Sequence, residues 1–273
     1  MKRRSLTAAI GEAVANAKRL ISARRHDTEI ADVTGICPVC GKPAHFQGFT
    51  DNPRESGTCS VCGCFNRQRQ MASVIRRQFG MPEQGDFRFP DEFRLFNAEA
   101  SGALHAALSG HAGYNCSEYF GPQHASGENF DGIEHQDLQA LSFGDNQFDL
   151  VLSSDVLEHM PDPYRAHGEI YRVLKPGGRH IFTVPFQPKA LRDDVRAAMV
   201  DSEIRYFAEQ LYHRDPIRPG QGILVWTIFG QEMLPRLTEL GFAPRLLPLY
   251  VPQQGILGAG QIVFEARKPE DVP

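Results

Sequence analysis

The chain has 273 residues, 41% of them hydrophobic, with a formal charge of −4. That composition can bury a sizeable core and excludes a disordered chain, while the longest apolar segments are strand-sized and exclude a membrane-spanning helix. Charge is unevenly placed, with 14 Lys and Arg against 8 Asp and Glu in residues 1–90 and 15 against 25 in the remainder. A basic front end on an acidic body fits recruitment of an anionic substrate or partner, and equally fits an ordinary solvated surface.

Residues 1–33 form the first expected unit, a packing helix over Ser5 to about Arg24 with Leu6, Ile10, Val14, Ala17 and Ile21 on one stripe. Residues 34–80 form the second. Cys37-Pro38-Val39-Cys40 and Cys59-Ser60-Val61-Cys62 are spaced C-x2-C-x18-C-x2-C, within the range of a four-thiolate zinc site. Gly41 and Gly63 follow the pairs and let neighbouring N–H groups point at sulfur. Cys64 is an alternative to Cys62 as the fourth ligand, and Cys116 reads as a small buried strand residue. Disulfides are not expected, since no apolar signal segment precedes the pairs and a cytoplasmic setting keeps thiols reduced.

Residues 85–270 form the third unit. Arg94 to Gly102 reads as a strand running into a loop of small residues, Ala98-Glu99-Ala100-Ser101-Gly102, with Ser101 placed to cap the following helix. Tyr114 to Glu118 reads as the next strand. Gln136 to Phe143 leads through a turn into Phe148 to Leu152, an apolar run of the kind buried on both faces of a parallel sheet. That strand ends in Ser153-Ser154-Asp155-Val156-Leu157-Glu158-His159, and polar residues beyond a strand's carboxyl end suggest chemistry. A helix is predicted from about Asp162 to Leu174, stopped by Lys175-Pro176-Gly177-Gly178, before a strand over His180 to Pro185. An insertion at about 187–229 carries Arg192, Asp193, Asp194, Tyr206, Tyr212, His213, Arg214 and Asp215 among helix-forming residues, with Tyr212 to Pro216 its most reactive-looking part. A helix over Gln231 to Leu240 and an antiparallel pair, Arg245 to Val251 and Gly260 to Ala266, close the chain.

From Arg94 to Pro185 the sequence D-L-x-x-L-x-F, F-D-L-V, L-E-H and R-V-L-K-P-G-G resembles the class I S-adenosylmethionine-dependent methyltransferases. The resemblance implies an α/β fold with a doubly wound, mostly parallel, seven-stranded Rossmann-like sheet. It also implies that Asp137 accepts a hydrogen bond from the adenine amino group, that the Leu138 backbone reads the adenine edge, and that Glu118 grips the ribose hydroxyls. The family's first motif carries three glycines where this chain has Ala98, Ala100 and Gly102, a departure shared by a branch with cysteine-rich front ends. The cofactor set implied is therefore Ala98, Glu99, Ala100, Gly102, Glu118, Asp137, Leu138 and Ser154, and the insertion takes the place of a substrate lid.

Methyl transfer is an in-line displacement that asks the protein to position the nucleophile and remove its proton. His159 is the candidate base. Glu158 and His159 are also two potential metal ligands without a third. The expected activity is methyl transfer to oxygen or nitrogen of a small-molecule or glycan acceptor. The alternatives are an RNA methyltransferase gripping nucleic acid through the basic zinc module, and a non-catalytic scaffold that has lost the cofactor.

Overall fold

The computed structural model describes residues 31–214, 220, 222–258 and 260–270. The helix expected over Ser5 to Arg24 lies outside them, as do Asp215 and Pro216. Contacts divide the chain into two units: one contains the described residues up to Cys116 with Arg245–Glu265, the other Ser117–Pro244 with those from Ala266 onward. No described helix is long and apolar enough to cross a membrane.

Unit one opens with a three-stranded antiparallel sheet, β1 (Val33–Ile36), β2 (Pro43–Gln47) and β3 (Thr58–Cys59). Helix α1 (Asn66–Gln78) follows, begun by Gln68, whose side-chain oxygen accepts from the Phe65 N–H. Its buried face is unusually polar, with Asn66, Arg69, Gln70, Ser73 and Arg76 beside Met71, Val74 and Ile75. Backbone carbonyls meet that polarity: Asn66 donates to Pro53 and Leu257, and Arg69 donates to Gly255 and Cys64. Strand β4 (Leu95–Asn97) and helix α2 (Gly102–Leu108) complete the unit's early part, and β4 pairs in parallel with β5 (Tyr114–Glu118).

Unit two contains β6 (Asn129–Phe130), β7 (Ile133–His135), β8 (Phe148–Ser154), helix α3 (Pro163–Val173), β9 (Leu174–Thr183) and helix α4 (Met233–Glu239). β8 is buried almost throughout and pairs in parallel with β9, as its unbroken apolar run predicts. Asp162 caps α3 by accepting from the N–H groups of Tyr164 and Arg165, with Pro163 at the first helical position. Gly177 takes φ +82 in the expected glycine turn, although β9 already begins at Leu174.

Hydrogen-bonded neighbours give an eight-stranded mixed sheet in the order β16-β17-β9-β8-β4-β5-β7-β6, with β16 (Ala243–Pro248) and β17 (Ile262–Arg267) at one edge. Counted from β4, the central strands run 3-2-1-4-5, the doubly wound order. The strand beyond the expected seven is β6, which turns back on β7 through Asp131-Gly132, both at positive φ. Asp-Gly between short strands is a strong two-residue hairpin signal.

The insertion corrects the helical expectation. It is built of two-stranded antiparallel ribbons: β10 (Asp194–Val195) with β15 (Thr227–Ile228), β11 (Ala197–Val200) with β12 (Glu203–Tyr206), and β13 (Tyr212–Arg214) with β14 (Gly222–Leu224). Asp201 and Ser202, at φ +51 and +68, make the β11–β12 turn that local helix propensity obscures. Asp193 ties down the base of the insertion, accepting from the Gly230 N–H at 2.7 Å and from the Tyr164 hydroxyl.

Two histidines in the core of unit two make its stability depend on pH. His167 on α3 and His180 on β9 are fully buried with rings 5.4 Å apart, and neither nitrogen of His167 has a hydrogen-bond partner among the described residues. Burial, reinforced by the Arg236 charge, pushes His167 down to about 3, and burial holds His180 well below the usual range. The unfolded chain then takes up protons the folded form refuses, so stability is complete above pH 6.5 and falls below it, His167 contributing a loss on the order of 1.4 kcal/mol per pH unit down to about pH 3 and His180 adding to the loss in the same direction. Acid unfolding followed by circular dichroism should show this loss, and His167→Leu should lower the slope and raise stability at pH 5. An unchanged slope would remove His167 as its source.

Candidate functional site

Unit one gathers the cysteines. β2 and β3 bring the two C-x2-C turns together, so that one sulfur each from Cys37, Cys40, Cys59 and Cys62 lies within 4.8 Å of the others. Cys37 and Cys62 are 3.8 Å apart, close to the edge of a tetrahedron with bonds of about 2.3 Å, the zinc–thiolate length. Cys64 is buried, with its sulfur 3.4 Å from Cys37 and 3.8 Å from an Arg69 nitrogen. Crowded sulfurs divide their protons unequally. Hydrogen bonds from Cys37 and Cys64 hold the Cys62 thiol well below its usual range, and a bond from Cys64 brings Cys59 down to about 6, while Cys37 and Cys64 are driven up. Arg76 donates to the carbonyls of Pro38, Pro82 and Gly85, placing a second buried cation on the cysteine loops.

The small-residue loop lies in the same unit. Ala98 is buried and Ala100 half-buried, and neither takes positive φ, whereas Gly102 does, at +83. Ser101 occupies the N-cap position of α2 but makes no side-chain cap, correcting the expected capping role. Asn97 holds the loop instead, donating to the Glu99 carbonyl at 2.9 Å and to the Tyr114 hydroxyl at 3.1 Å.

In unit two, parallel pairing sets Glu118 beside His135, which brings Glu118 and Asp137 to the ends of adjacent strands. Both carboxylates are half-buried. Asp137 folds its own turn: Oδ1 accepts from the Gln139 N–H at 2.8 Å, its backbone N–H donates to Ser126, and Leu138 is buried behind it.

β8 ends in a strained turn. Ser154 is buried, and Asp155 sits at φ +55, a cost of about 1–3 kcal/mol for a residue with a side chain. Asp155 donates its N–H to the Thr183 carbonyl, and the Thr183 hydroxyl donates to its carboxylate, each at 3.0 Å. The chain then enters a 3₁₀ turn, Leu157–His159. Here Glu158 is fully buried, and its carbonyl accepts from the Trp226 N–H at 2.7 Å. His159 Nδ1 donates to the Leu224 carbonyl at 2.9 Å, leaving Nε2 as the basic nitrogen; it lies 3.2 Å from Nδ1 of His213. Sequence reasoning singled out His213 without connecting it to His159, because the connection is made by the β13–β14 ribbon.

Residues 103–182 match the family model described as a methyltransferase domain. Phosphoethanolamine N-methyltransferase 2 of Caenorhabditis elegans is 30% identical over 104 residues, 38% of this chain and 23% of that protein. An uncharacterized methyltransferase of Mycobacterium tuberculosis is 30% identical over 139 residues, 48% of this chain and 54% of that protein. The chain thus spans about half, or less, of the length of these curated relatives. Among solved structures, S-adenosylmethionine-dependent methyltransferases of Methanosarcina mazei and Mesorhizobium loti align with TM-scores of 0.39 and 0.42 at 17% and 16% identity, covering 68% and 72% of this chain and 100% and 97% of theirs.

The strain at Asp155 is directly measurable. Asp155→Gly and Asp155→Val both lose the carboxylate contact with the Thr183 hydroxyl and keep the backbone bond to the Thr183 carbonyl, so their difference isolates the backbone conformation. The valine protein should be less stable than the glycine protein by about 2 kcal/mol or more in denaturant unfolding. Equal stability would mean the positive φ is not a constraint.

Proposed function

We propose that this chain transfers a methyl group from S-adenosylmethionine to oxygen or nitrogen of a small-molecule or glycan acceptor, with zinc as a structural element of its cysteine module. The observation carrying the reading is the methyltransferase-domain match, whose 103–182 span contains Glu118, Asp137, Leu138, Ser154 and His159. A small-molecule acceptor is favoured by the relative named as a phosphoethanolamine N-methyltransferase. Half-buried carboxylates at adjacent strand ends suit a ligand carrying an amino group and vicinal hydroxyls, and low bulk at Ala98 and Ala100 suits close approach by its amino-acid part.

In this reading the sulfonium supplies the methyl group, and the protein binds, orients and deprotonates. Asp137 accepts from the adenine amino group, the Leu138 backbone reads the ring edge and Glu118 holds the ribose hydroxyls. Ala98, Glu99, Ala100, Gly102 and Ser154 border the rest of the cofactor. His159 takes the acceptor's proton on Nε2, in the tautomer fixed by Leu224.

Calorimetric titration with S-adenosylmethionine tests the assignment. Asp137→Asn keeps an oxygen for the Gln139 turn while removing the negative charge, and should weaken binding by about 1–3 kcal/mol. No binding by the parent protein at millimolar cofactor would favour the scaffold reading, and an unchanged Kd in the folded variant would remove Asp137 from the site.

Zinc is tested separately. Cys37, Cys40, Cys59 and Cys62 are the proposed ligands, with Cys64 a buried neighbour whose sulfur faces Arg69. Protein purified without chelator should contain one zinc per chain by elemental analysis, and paired substitution Cys37→Ser and Cys40→Ser should release it, whereas Cys64→Ser should retain it. Zinc loss in the Cys64 variant would exchange the fourth ligand, and zinc-free parent protein would overturn the site.

A further inference from the structure

Glu158, His159 and His213 form a second cluster of potential metal-ligating side chains, all three within unit two. His159 Nε2 and His213 Nδ1 are 3.2 Å apart, and Glu158 Oε1 lies 3.8 Å from the first and 3.6 Å from the second. A point equidistant from these atoms is roughly 2.1 Å from each, the length of a bond from a divalent transition ion to imidazole nitrogen or carboxylate oxygen. We propose that these residues hold a divalent first-row transition cation through two imidazoles and one carboxylate.

The surroundings favour a cation over chance proximity. Glu158 has no solvent exposure, and a carboxylate buried to that extent requires compensating positive charge. His159 Nε2 and His213 Nδ1 lie 3.8 and 3.6 Å from its Oε1, and the two rings cross at 87°. His159 meets a further requirement of a metal-bound histidine, since its other nitrogen donates to the Leu224 carbonyl and thereby fixes the ring and its tautomer. β13 supplies His213 and its partner β14 supplies Leu224, with His213 opposite Ile223. One ribbon therefore delivers a ligand and orients another.

Two nitrogens and one oxygen suit zinc, cobalt, iron(II) or manganese, and three protein ligands leave coordination positions for an incoming oxygen. The acceptor class this favours carries a hydroxyl or an oxyanion. A proton and a cation compete for the same lone pair on His159, so with the ion bound His159 would be a ligand and not the base: a coordinated acceptor hydroxyl would be more acidic and would lose its proton to solvent water as its oxygen takes the methyl group. Metal binding in unit two is measured without cofactor or acceptor, and its outcome is separate from that of the methyl-transfer reading.

The test uses full-length protein whose cysteine module is already zinc-loaded, titrated with Mn²⁺ and followed by electron paramagnetic resonance, with elemental analysis after Zn²⁺ addition as a second readout. Manganese prefers oxygen and nitrogen ligands and does not displace zinc from thiolates. One Mn²⁺ per chain is expected beyond the zinc, weakened at least tenfold by His213→Ala and by Glu158→Gln, with the thiolate zinc retained. Circular dichroism identifies a variant that fails to fold, and the part-exposed position of His213 makes its replacement the milder one. Absence of any additional Mn²⁺ or Zn²⁺ at millimolar concentration overturns the proposal in favour of a carboxylate–imidazolium ion pair, and undiminished binding in both folded variants places the ion elsewhere.

Discussion

The termination of β8 governs the polar centre of unit two. A buried parallel strand has nowhere to leave the sheet except at its carboxyl end, and here the turn is made by a non-glycine residue at positive φ. Asp155 is held there by paired contacts with Thr183, the last residue of β9, so the β8–β9 pairing that builds the sheet also sets the exit angle of the chain. Only after that exit can Leu157–His159 wind into a 3₁₀ turn that buries Glu158 and presents His159. The insertion then closes over the turn, Trp226 through the Glu158 carbonyl and Leu224 through His159. Backbone carbonyls and N–H groups do most of this holding, and it is insensitive to the identity of many ribbon side chains.

The cysteine module rests on different physics. A module with short strands and few apolar side chains has little core of its own, and the buried face of α1 is correspondingly polar. Arg69 and Arg76 are buried, and backbone carbonyls of the surrounding loops accept their hydrogen bonds. Carbonyl dipoles alone compensate a buried guanidinium poorly, whereas thiolates nearby improve the balance. Arg76 and the sulfurs of Cys37 and Cys40 interact through their charges, and a positive charge favours an ionised thiol. The polarity of α1 and the clustering of cysteine are two halves of one electrostatic arrangement, each costly without the other.

Legibility in the sequence followed the range of the interaction. The helix begun by Asp162 and Pro163, the glycine turn at Gly177 and the buried β8 depend on neighbours in the chain, and their residue types announce them. The cysteine spacing was equally readable, since each C-x2-C pair is a local turn. What the sequence hides lies in very short strands and in distant contacts. Asp131-Gly132 and Asp201-Ser202 are hairpin turns in stretches too short to show strand alternation, so β6 and the ribbons of the insertion were not foreseen. The apposition of His159 and His213 spans 54 residues, and nothing in either local sequence encodes it. Ser101 failed in the opposite sense: the residue type suits a cap, yet Asn97 and Tyr114 already hold the loop.

In the small-residue loop, alanine and glycine divide the conformational demand unequally. Positive φ is what glycine uniquely supplies, and in this loop the demand for it falls on Gly102, at +83, while Ala98 and Ala100 remain outside that region. Alanine at those positions therefore adds a methyl group, buried at Ala98 and half-buried at Ala100, without straining the backbone, and it lowers the conformational entropy of the unfolded loop. Asn97 provides what an all-glycine loop lacks, a side chain that fixes the Glu99 carbonyl from within the last residue of β4. The loop is thereby stiffened at its start and left free to turn at its end, where helix α2 begins.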